Sequence, residues 1–157
     1  MRVVLLSLMA AFPCLAQFQS MEIAFEGIGC ASCLESLPAR IQRLCGVESS
    51  TVDAEHGILK VQLAAQNRVR LEQVRDLIEQ DGTKTKKATA RVKGELSQLQ
   101  GRWVLRLTGL EASYDVEGAV PASPAGTYVV TGDIATLRPE SGPLVIRASE
   151  LKKLAPL

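Results

Sequence analysis

The chain has 157 residues, 46% hydrophobic and 4% aromatic, with 18 basic against 17 acidic side chains. This charge balance argues against nucleic acid or an anionic lipid surface as the main partner. The length suits one ordinary domain or two small ones, and one histidine among four cysteines leaves little for general acid–base catalysis.

The chain opens Met1-Arg2, followed by the apolar run Val3–Phe12 and then Cys14-Leu15-Ala16. One positive residue, a short apolar core and small residues at 14 and 16 predict a secretory signal peptide over residues 1–16, cleaved after Ala16. The apolar core is shorter than the ~20 residues that a spanning helix needs. Cleavage removes Arg2, leaving 17 basic and 17 acidic residues and three cysteines, Cys30, Cys33 and Cys45. The expected setting is periplasmic or secreted, with no membrane partner after cleavage. An odd cysteine count in an exported chain does not suit a disulfide framework.

Residues 21–93 read as β-α-β-β-α-β. Met21–Ile28 alternates, with Ile23 and Phe25 on one face, as in a half-buried strand. Leu34, Leu37, Ile41 and Leu44 recur at three and four, the stripe of an amphipathic helix, with Gly46 as its stop and Pro38 expected to kink it. Val47–Asp53 and Gly57–Leu63 are strands joined by a turn at Ala54-Glu55-His56. Asn67 is the expected cap of a second helix whose buried stripe is Val69, Leu71, Val74, Leu77 and Ile78. Asp81-Gly82 turns the chain, and Ala88, Ala90 and Val92 mark the next strand.

Residues 94–157 carry further short alternating runs at Trp103–Leu107, Tyr114–Val116, Thr127–Ile134 and Pro143–Arg147, punctuated by glycines. With Ala88–Leu96 as a first strand, five strands are available, which resembles an OB-type barrel. Residues 121–126 read as a loop and the chain end as a polar, helix-tolerant tail. Trp103, Tyr114 and Tyr128 are expected in the barrel core, the alternative being a stacking surface for a ligand.

Between the first strand and first helix lies Gly27-Ile28-Gly29-Cys30-Ala31-Ser32-Cys33. Two thiolates at this spacing can hold one soft cation in a near-linear arrangement, which suits Cu(I) and Hg(II). Zn(II) normally takes four ligands, and Gly29 and Ala31 supply no carboxylate. The expected order is Cu(I), then Hg(II), then Zn(II). The alternative use of the pair is a disulfide or a redox couple, which an oxidising compartment permits. Cys45 lies twelve residues on, ~18 Å along a helix, too far to share the ion, and is expected to be buried or half-buried. His56 reads as an exposed turn residue, with an accessory ligand as its alternative. Lys84, Lys86 and Lys87 read as a solvated face near the same end, able to offset the charge of a bis-thiolate complex.

The loop, the element order and the pair Gly46-Val47, thirteen residues past Cys33, resemble the heavy-metal-associated domain over residues 21–93. This is the ferredoxin-like module of copper chaperones, metal-transporting P-type ATPases and periplasmic mercury scavengers. The resemblance implies that Cys30 and Cys33 are metal ligands and that a donor or acceptor protein exchanges the ion. The chain departs from the family at Ile28 for methionine, Gly29 for threonine or aspartate, and Thr83 after Gly82, where an aromatic residue or lysine is common.

The expected architecture is thus α+β: a signal peptide (1–16), a ferredoxin-like domain (20–93) and a small all-β, OB-like domain (94–157). The expected function is non-enzymatic capture or delivery of Cu(I) or Hg(II) outside the cytoplasm. Two other readings stand beside it: a thiol–disulfide oxidoreductase, and a protein-binding module with a vestigial metal site.

Overall fold

The computed structural model describes residues 17–27, 30–118 and 125–155. The expected signal peptide, and most of the loop expected over residues 121–126, lie outside the described residues. Eight strands and two helices follow in the order β1 (Gln17–Glu26), α1 (Ala31–Gln42), β2 (Val47–Asp53), β3 (Ile58–Leu63), α2 (Leu71–Glu79), β4 (Lys84–Leu99), β5 (Arg102–Leu107), β6 (Ala112–Gly118), β7 (Gly126–Ile134) and β8 (Val145–Lys153). Among the described residues no helix is long and apolar enough to cross a membrane.

The first half is a four-stranded antiparallel sheet, β2-β3-β1-β4, built from a β-α-β-β-α-β order, which is the ferredoxin-like arrangement. Alternation in each strand sends one set of side chains under the helices. Met21, Ile23 and Phe25 of β1, Leu59, Val61 and Leu63 of β3, and Ala88, Ala90 and Val92 of β4 are buried with Leu37 and Ile41 of α1 and Val74 and Ile78 of α2.

The chain does not break after residue 93. β4 runs sixteen residues and serves both halves. Along one edge its register passes from β1, with Gln17 opposite Lys93, to β5, with Glu95 opposite Arg106. Gly94 sits at the handover. A Cβ there would lie 2.9 Å from both the Arg106 carbonyl oxygen and Leu105 Cδ1, so only glycine lets the strands approach this closely. Along its other edge β4 pairs with β7 from Ala88 to Leu96. The sequence of pairings β4-β5-β6-β8-β7 therefore returns to β4, closing a five-stranded ring in which β6 and β8 run parallel.

Several local expectations need correction. Asn67 does not cap α2. It is buried three residues upstream of the Arg70 cap, where its side-chain nitrogen donates to the Phe18 and Ala64 carbonyls and its oxygen accepts from the Val69 N–H. The first turn of α2 is served by Gln73, whose side-chain oxygen accepts from the Arg70 N–H. α1 continues through Pro38, reaches Arg43 as its C-cap and ends before Gly46; the Pro38 carbonyl accepts from the Ser50 hydroxyl at 2.7 Å. The polar chain end is not helix-tolerant coil: residues 148–153 belong to β8 and pair with β7, because β7 offers a free edge there. Trp103 is half-buried at the margin of the core, while Tyr114 and Tyr128 are buried as expected.

Candidate metal-binding site

β1 ends at Glu26, and Gly27, at φ +77°, turns the chain away from the sheet. Residues 28 and 29 lie outside the described residues. Cys30 then takes an extended conformation as the N-cap of α1, and its sulfur accepts the Cys33 N–H at 3.0 Å. This is the place of a capping serine or aspartate, filled by sulfur, and the free N–H groups of the first turn favour negative charge there. The Ser32 hydroxyl lies 3.4 Å from the same sulfur. One helical turn puts the two Cα atoms 5.3 Å apart, and the two half-buried cysteines are joined by a disulfide. The spacing of the pair thus brings both sulfurs to one point, in their oxidised form.

The two cysteines face different surroundings. Cys33 lines a small crevice with Phe25, Leu34, Leu37, Ile78, Asp81 and Thr83. Thr83 is buried, and with Asp81 it makes the turn after α2 one side of the crevice that Cys33 also lines. Arg40 of α1 lines the crevice as well, pairing with Asp81 and reaching Gln80 at 3.5 Å. Cys30 is not among the crevice residues.

The turn carrying His56 reaches the same end of the sheet, since the Phe25 N–H donates to the Gly57 carbonyl at 2.8 Å. His56 is exposed and engaged with Asp53, which accepts from its backbone N–H at 3.1 Å and meets its ring nitrogen Nδ1 at 2.9 Å. These two contacts, the backbone one first, hold the Asp53 carboxyl below its ordinary value. Lys84, Lys86 and Lys87 are exposed, and Lys86 is paired with Glu26 at the end of β1. Among the described residues no group of three or more His, Cys, Asp and Glu side chains is placed to hold a metal ion, so the donors that converge are the two sulfurs. Cys45 is free and exposed, contrary to expectation: it follows the end of α1 in the turn leading to β2, where no core element covers it.

Sequence reasoning missed Arg40, Glu79 and Arg138. Each meets its partner across forty or more positions of chain, and such pairings leave no local pattern to read.

No family model matches this sequence, and no curated protein does. Among solved structures, a CopZ metallochaperone is 27% identical, with a TM-score of 0.38, over 42% of this chain and 97% of its own. A copper binding domain from HMA7, a P-type ATPase, is 22% identical, also with a TM-score of 0.38, over 43% of this chain and 90% of its own. Over that part of its length the chain is similar to heavy-metal-associated domains.

Proposed function

We propose that this protein captures or delivers a soft metal ion through Cys30 and Cys33, with no bond chemistry of its own. The observation that carries the reading is the meeting of two sulfurs at the start of α1, where the Cys33 N–H already points at the Cys30 sulfur. A reductant supplying two electrons and two protons converts the disulfide to two thiols. Each thiol gives up its proton when the ion binds, and the N-terminal end of the helix dipole favours the resulting negative charge. Two sulfur donors, with no third group converging among the described residues, suit Cu(I) best, Hg(II) next and Zn(II) least. The ion is cargo, received from and passed to another protein, and the chain works outside the cytoplasm once residues 1–16 are removed. The closed ring of β4, β5, β6, β8 and β7 reads as an OB-type barrel.

The disulfide also favours a second reading, a thiol–disulfide oxidoreductase. One experiment separates the two. The reduced protein is offered copper, mercury and zinc in competition, and its bound metal is measured beside its rate of insulin reduction. About one Cu(I) per chain, lost in Cys30→Ser and Cys33→Ser and kept in Cys45→Ser, supports the metal reading. Binding that survives both ligand changes, or turnover of insulin without tight metal binding, removes it.

A further inference from the structure

The C-terminal half reaches the turn beside the thiol site through Arg138, which grips the carboxylate of Glu79. Glu79 is the last residue of α2, and its two oxygens serve different parts of the fold. Oε1 accepts from the Thr85 hydroxyl and from the Thr85 N–H at 3.4 Å, stapling the helix end to the start of β4. Oε2 is held by Arg138 at 2.6 Å, from the loop 135–144 between β7 and β8. The turn enclosed by this staple is Gln80-Asp81-Gly82-Thr83, whose Asp81 and Thr83 wall the crevice beside Cys33. Arg40 grips its other flank through Asp81.

The loop that supplies Arg138 is itself anchored. Leu137 is buried in the common core, and the Arg75 guanidinium of α2 donates to its carbonyl at 2.8 Å. Arg138 also reaches Asp76, 3.4 Å away. A cation on a fixed loop therefore holds the carboxylate that closes the turn.

Resting on the metal-site reading, we propose that the barrel braces the wall of the thiol site, with Arg138 and Glu79 as positioning residues that limit access to Cys33. Arg138 touches neither sulfur. It acts by keeping the 80–83 turn closed, so its loss raises the population of an open turn and exposes Cys33 while leaving Cys30 as it was. This assigns the C-terminal half a task at the site: setting how readily the second sulfur is reached by a thiol or an acceptor.

The test uses the reduced full chain. Iodoacetamide is pulsed and the two cysteines are read separately by mass spectrometry, with backbone amide exchange at Gly82 and Thr85 in parallel. Arg138→Ala, at an exposed side chain, is expected to speed alkylation of Cys33 and exchange at both amides up to about fivefold, without changing Cys30. Arg138→Lys, which keeps the charge, is expected to restore most of the protection. Unchanged rates in Arg138→Ala, or equal acceleration at both cysteines, would overturn the brace. Neither readout needs metal, so a parent protein that binds no Cu(I) defeats the metal reading while leaving the brace to be judged on its own.

Discussion

The rings of Phe18 and Tyr114 meet edge to face, with centroids 5.6 Å apart and planes at 83°. Phe18 belongs to β1 and Tyr114 to β6, so the pair is a bond between the ferredoxin-like sheet and the closed ring. Both side chains are buried, and the Tyr114 hydroxyl points toward Glu72 of α2 at 3.4 Å. Burial first, and then the neighbouring Glu72 charge, push this phenol far above its ordinary value, so it stays a neutral hydrogen-bond donor.

Because that contact lies in a core shared by both halves, the chain should unfold in one step. Both helices are in the first half, while Trp103, the single tryptophan, reports on the ring. Helical circular dichroism and tryptophan fluorescence are expected to give superimposable denaturant curves. Tyr114→Ala should shift both together by about 3–5 kcal/mol. Two separated transitions in the parent protein would show that the halves fold independently.

The Glu79 brace predicts a particular response to acid. Burial alone raises the Glu79 carboxyl, but the hydrogen bonds from Thr85 and Arg138 outweigh it and hold the group below the ordinary glutamate value. A carboxyl depressed in the folded state stabilises fully above its unfolded pKa, and that contribution fades as pH falls through the lower folded value. Asp76, which shares Arg138, and Arg75 beside Asp76 face the same cluster, and Arg138 keeps its proton throughout. Urea titrations should therefore show a stability gap between parent and Glu79→Gln that is full at neutral pH and narrows below about pH 4.5. A gap of constant size down to pH 2 would contradict the ionic role.

Gly94 is the most demanding position in the long strand. Gly94→Ala places a methyl group against the Arg106 carbonyl and the Leu105 side chain, and one of the two neighbours is backbone that cannot rotate aside. A loss of about 1–3 kcal/mol is expected in thermal or denaturant melts. The damage should centre on the β4–β5 pairing, seen as faster amide exchange in Leu105 and Arg106. A variant as stable as the parent would mean that the strands can separate there at no cost.

Much of the first half was legible because its signals are local. Period-two alternation marked β1 and β3, the three-and-four spacing marked the helices, and the cysteine pair stood beside the glycine that turns the chain. The ring strands were visible in part for the same reason, except that the second half of β8, residues 148–153, is too polar to alternate clearly. What stayed hidden depends on contacts distant in sequence. Ala88–Leu96 reads as a strand, but nothing near residue 93 announces that it is the same strand as the last one of the first half, running from Lys84 to Leu99. Asn67 has the residue type of a helix cap, yet the Phe18 carbonyl, 49 positions away, claims its side chain. Cys45 has the composition of a core residue, and only the early end of α1 shows that it stands in the open. The Arg138–Glu79 pair spans 59 positions, a separation at which no local pattern links the two residues.

The pairing of β7 along β4 governs what a shortened protein would be like. A chain cut after Lys93 loses the strand beside Ala88–Lys93, and the alternate amides and carbonyls that pointed at β7 then face water as a raw rim, while those bonded to β1 stay paired. It also uncovers Phe18, which the ring shields. Such a fragment presents an unguarded template for strand addition next to greasy surface, so clumping rather than loss of cysteine chemistry is its first expected failure.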